Sequence, residues 1–114
     1  MTHYLISFPS SAMDHIKDDE WEALSETSHA VVREAKAAGV YVFGGGIDED
    51  VAPVRFAADG SSTSETYPET RNFDGGFLVL KLPTRGAAEE WAAKVAAACR
   101  CDQELRQFQE DPES

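Results

Sequence analysis

Only two stretches of this chain repeat apolar residues at helical spacing, whereas five short stretches have the composition of strands, and that imbalance limits the fold more than any other feature. In the first helical stretch Trp21, Leu24, Ser28, Val31, Val32, Ala35 and Ala38 fall three and four residues apart, predicting a helix from about Asp19 to Ala38. Asp18, Asp19 and Glu20 suit its positive N-terminus, and Gly39 is a natural stop. The second runs from Gly86 through Ala88, Trp91, Ala92, Val95, Ala96 and Cys99, with Glu89, Glu90 and Lys94 on its other face. Trp21 and Trp91 occupy core positions of these two patterns.

The strand-like stretches are His3–Phe8, Val40–Phe43, Val51–Ala57, Phe77–Leu82 and Glu104–Phe108. Phe77–Leu82 is the most apolar and is closed by Pro83, which makes it the expected central strand. Val51–Ala57 runs into a turn at Asp59-Gly60, and Ser61–Asn72 reads as a surface loop, a candidate lid. The order is β-α-β, β, β-α-β, an α+β chain with two helices on one face of a single sheet. Two helices leave the second face bare. If that face carries Leu78, Leu80 and similar residues, a second copy must cover it, so a homodimer is expected.

The 114 residues suit one domain, placed at 1–110 with an acidic tail at 111–114. Ten basic residues against 21 acidic ones give a net charge of −11, which repels phosphate backbones and anionic lipids, so neither nucleic acid nor membrane is an expected partner. Met1–Phe8 has no Lys or Arg and no apolar signal core, pointing to a cytoplasmic protein. Cys99 and Cys101 lack the further ligands a closed zinc site needs, and Cys99 reads as a small buried residue; no metal and no cofactor are expected. Gly44-Gly45-Gly46 lacks a phosphate-loop pattern and any basic residue, so it reads as a strand exit. His3 and His15 have no partner at ligand spacing.

Two stretches resemble the YCII-related family, whose wider group includes the DGPF-domain proteins. The first is SHAVVREAKAAGVYVFGGGIDED from Ser28 to Asp50, with a His-containing helix, a Gly, a short apolar strand and a Gly-rich turn. The second joins Val54-Arg55, Asp59-Gly60, Tyr67-Pro68-Glu69-Thr70-Arg71, Gly75-Gly76-Phe77 and the helix of Ala88, Glu90, Trp91 and Ala92. The DGPF tetrapeptide itself is absent, with Thr66-Tyr67-Pro68-Glu69 in its place. The resemblance implies a ferredoxin-like fold whose antiparallel sheets pair into a dimeric, barrel-like α/β assembly. It also implies acid/base chemistry by a histidine with an aspartate partner.

His29 is the histidine in question, with either Asp48 or Asp74 to orient it. It lies about 120° from the centre of the helix's apolar face, at the edge of the sheet. Tyr41, Phe43 and Arg55 are the expected walls of a crevice beside it. Arg55 and Arg71 are candidate clamps for a substrate carboxylate, against the alternative of ion pairs with Glu65 or Glu69. Two functions remain open. One is acid/base catalysis on a small molecule; the other is a non-catalytic dimeric domain that binds a small ligand or a protein.

Overall fold

The computed structural model describes residues 1–114. Its strands are β1 (Thr2–Phe8), β2 (Tyr41–Gly46), β3 (Arg55–Phe56), β4 (Ser62–Thr63), β5 (Gly76–Leu82) and β6 (Glu104–Gln107), and its helices are α1 (Trp21–Ala37) and α2 (Arg85–Cys99). Four strands form one sheet in the order β2-β5-β1-β6, every neighbouring pair antiparallel. This is a ferredoxin-like α+β fold. The expected central strand is internal, as its apolar composition demands.

Local chemistry sets the ends of both helices. Glu20 reaches back to accept from the Lys17 backbone amide at 3.1 Å, ordering a short 3-10 turn (Asp18–Glu20) that leads into α1. After α1, Gly39 takes φ +74°, a conformation only glycine adopts without strain, and the chain turns directly into β2. Thr84 caps α2 by accepting from the Ala87 amide at 3.1 Å. His15 acquires a structural role that sequence did not assign it. Its Nε2 donates to the Arg100 carbonyl at 2.7 Å, tying the segment before α1 to the end of α2.

Alternation along β1 and β5 turns Tyr4, Ile6, Leu78, Leu80 and Leu82 toward the helices, where they meet Val31, Ala35, Ala88, Val95 and Cys99 in one buried cluster. Leu78 and Leu80 therefore belong to the covered face, contrary to the expectation that they line the bare one. The strand residues facing away are Leu5, Ser7, Phe77, Val79 and Lys81, joined by Phe43, Glu104 and Arg106 through the strand register. The bare face is apolar at its centre, but a different set of side chains makes it so. Only 12 of the 114 residues are buried, which confines the core of one chain to the single helix–sheet seam.

Three further expectations change. Val51–Ala57 contributes only Arg55–Phe56, which pairs with Ser62–Thr63 across the Asp59-Gly60 turn in a separate two-stranded ribbon, a local pairing in place of an added strand in the main sheet. The glycines are not an exit from β2 but its last three residues, paired with Gly76 to Leu78. Trp21 is 45% exposed and lies outside the core, whereas Trp91 packs against it. Trp21 is the first residue of α1, beyond the reach of the sheet. No helix is long and apolar enough to cross a membrane.

One glycine is required by close approach. A Cβ on Gly75 would collide with the carbonyl of Phe8, since the chain enters β5 against the end of β1. Leu80→Ala is expected to lower the unfolding free energy by about 2–5 kcal/mol, and Gly75→Ala by a comparable or larger amount. Gly86→Ala, whose added Cβ meets nothing closer than 3.9 Å, should instead be neutral or stabilise by up to about 1 kcal/mol. Urea denaturation of the three variants measures the contrast.

Candidate functional site

The edge strand β2 does not run in simple register. Tyr41 pairs with Leu80 and Phe43 with Val79, so one extra residue is accommodated between them and the alternation reverses. Beyond this bulge Gly44, opposite Leu78, occupies the helix-facing position that an unbroken strand would give to Phe43. Glycine has no side chain to fill it. The result is a cavity of about 350 Å³ between α1 and the glycine end of β2, with His29, Ser28, Val32, Tyr41 and Gln103 among its lining groups.

His29 stands on the exposed side of α1 at this cavity, beside Ser28. The nearest polar group to its Nδ1 is Ser25 Oγ, one helical turn back at 3.4 Å, a long contact for a hydrogen bond. The five ion pairs of the chain all involve Lys or Arg, and none reaches His29. Tyr41 is half-buried, with the Lys36 ammonium 4.9 Å from its ring centroid. Thr27, on the same helix, donates to the Ala98 carbonyl at 2.6 Å and fixes α1 against α2 beneath the cavity.

The other residues expected around the histidine lie elsewhere. Asp48, Arg55 and Asp74 line a separate, wider cleft of about 810 Å³ between the chain segments 47–55 and 66–74. Within it the Arg55 guanidinium sits 5.1 Å from the ring centroid of Tyr67 and makes no ion pair. Asp48 accepts from the Asp50 backbone amide at 3.0 Å, an ordinary turn contact. Asp74 is fully engaged: it accepts from Ser10 N at 3.1 Å and Ser10 Oγ at 2.8 Å. Neither aspartate lies in the His29 cavity. Phe43, 64% exposed, is turned to the opposite sheet face by the bulge, and Arg71 is exposed with no acidic partner.

Thus Tyr41 is the only one of the proposed walls that adjoins His29. The groups that sequence reasoning passed over, Ser28, Gln103 and the side-chain-free Gly44 and Gly46, are the ones that shape the cavity. The glycine run was the available signal, since a glycine inside a strand marks a bulge or a close approach. Cys99 also adjoins this cavity, and burial, with a smaller contribution from Cys101, pushes its thiol up to about 11. Burial raises the Cys101 thiol as well, so neither is a reactive thiolate at neutral pH. No metal-binding cluster of three or more suitable side chains exists.

The hydrogen bonds from Ser10, backbone first and then hydroxyl, hold the Asp74 carboxyl below its usual 3.8. A depressed carboxylate favours the folded state above its unfolded value, and the contribution disappears as pH falls through the lower folded value. Ser10→Ala is therefore expected to lower the urea midpoint near pH 7, and the gap from the parent should close toward about pH 2. A gap that persists in acid would show that Ser10 acts through packing alone.

The chain matches no protein-family model and no curated protein.

Proposed function

We propose that this chain is a YCII-related domain that works in the cytoplasm as a homodimer and binds a small molecule in the cavity between α1 and β2. The observation that carries the reading is the cavity itself, opened by Gly44 at a position where alternation would have placed Phe43. His29 and Ser28 provide polar contacts there. Ligand binding is favoured over acid/base catalysis because a general base needs a group to orient it, and the imaginable partners Asp48 and Asp74 line the other cleft. Two free cysteines and no disulfide agree with a reducing compartment.

The bare sheet face supports the homodimer. Its centre is Leu5, Phe77 and Val79, flanked by Phe43, and its charged strand residues are Lys81 and Arg106 against Glu104. The molecule is a slab 43 × 43 × 19 Å, and its thin dimension leaves room for one sheet and one helical layer. Its radius of gyration, 15.8 Å, exceeds the roughly 13 Å of a compact domain of this length. Stacking two such slabs sheet to sheet restores a closed core.

Light scattering at micromolar concentration should give twice the 12.5 kDa of one chain, and Val79→Glu should give the single-chain mass with the fold retained by circular dichroism. A monomeric parent would sink the assembly. Binding is tested separately by a thermal-shift ligand screen in which each hit is repeated on His29→Ala. Hits should raise Tm in the parent and lose most of that gain in the variant. Gains indifferent to the replacement would remove His29 from the site.

A further inference from the structure

Resting on the cavity reading above, we infer that the ligand class is a small uncharged molecule with an apolar body and one hydrogen-bonding group. The cavity walls contain no Lys, Arg, Asp or Glu. This is unusual for a chain in which 27% of residues are charged, and apart from the exposed His29 the walls offer an ionic ligand no group to pair with. A cation would find its counter-charges only on the outer surface.

The inner wall is apolar. Ile6, Val31, Leu78 and Val95 are each at most 7% exposed and close its floor, so a body seated there gives up contact with water. Polar groups gather toward the α1 side, where Ser28 and His29 offer donors and acceptors of either sense. At about 350 Å³ the space is at the lower end of ligand cavities, matching a single ring or a short branched chain. Gly44 sets the depth: a Cβ there would lie 3.1 Å from Leu78 Cδ1 and 3.5 Å from Tyr41 Cε2, pointing into the same space.

Three probes of one shape and different charge separate the alternatives: benzamide, benzoate and benzamidinium, titrated into the 15N-labelled full chain and followed by amide chemical shifts. Benzamide should move the Gly44, Gly45, Gly46 and Val32 amides saturably, and the two ions should need roughly tenfold higher concentration or more for the same shifts. Gly44→Val, and independently Gly46→Leu, should abolish the benzamide response while leaving the rest of the spectrum in place. The φ of neither glycine is left-handed, and the nearest atom to an added Cβ at Gly46 is 3.8 Å away. Two failures are distinguishable. If an ion moves the cavity amides as readily as benzamide, the ligand class is wrong and the cavity survives. If none of the three moves them, or shifts appear only around Tyr67 and Phe73, the cavity reading itself falls.

Discussion

The seating of two helices on one face of a four-stranded sheet, with wholly buried Ala35 and Ala88 close to wholly buried Leu80, is the contact from which the rest of this structure follows. Alanine in the last turn of α1 and the first turn of α2 lets each backbone approach the sheet, and the branched and aromatic side chains of β1 and β5 fill the remaining volume. Because the two helices cover only one side, the strand residues of opposite parity have a thinner cover: Ser7 is buried and Phe73 stacks on Phe77 at 4.5 Å, while Leu5 and Val79 stay half-buried. The fold therefore creates a second, weaker apolar surface as a direct consequence of its first. The segment between β2 and β5 covers only one end of it, through Phe73 against Phe77, and its earlier part is taken up by the β3–β4 ribbon.

The same seam explains where the cavity lies. Edge strands tolerate bulges because one side has no partner to misalign, and β2 is an edge strand. One extra residue at Val42–Phe43 moves an aromatic ring to the outer face and a glycine to the inner face. The loss of packing falls at the end of the sheet, away from Leu80 and Leu82, where the helices hold it most firmly. The cavity is thus set by β2 over a length of a few residues, beside a core that β1, β5 and the two helices build. The bare face gains Phe43 in the exchange, so the feature that opens the cavity also extends the apolar part of that face.

Much of this was legible in the sequence. The three-and-four spacing of Leu24, Val31 and Ala35 and of Ala88, Val95 and Cys99 located both helices, and all six residues are buried. Gly75-Gly76 and Pro83 bracketed β5 to within a residue. What sequence could not convey was parity beyond a bulge. Tyr41 and Phe43 are two residues apart, and period-two logic assigns them to the same face until a pairing partner reveals the shift. Leu78 and Leu80 were misassigned for a related reason: alternation says which residues share a face but not which face meets the helices. Asp48 was attached to His29 from its place after the glycines and Asp74 from its place before the central strand, whereas their partners are a local turn and Ser10, 64 positions away.

Charge is kept out of the cavity walls, and on the bare face Lys81, Arg106 and Glu104 flank an apolar centre. The ion pairs lie on the outside, including the interhelical contact of Lys94 with Glu34 and the Arg33–Glu26 pair, all on exposed side chains where each adds little to stability. The surplus of acid is carried by solvated positions such as Asp18–Glu20, Asp48–Asp50 and the tail. A field of this kind acts at long range and is screened over about 8 Å at physiological salt. It discourages polyanions from approaching yet contributes almost nothing inside a cavity walled by uncharged groups. The two length scales are then separate: the outer acids set the field around the molecule, and the polarity of the space beneath α1 is set by walls that hold no Lys, Arg, Asp or Glu.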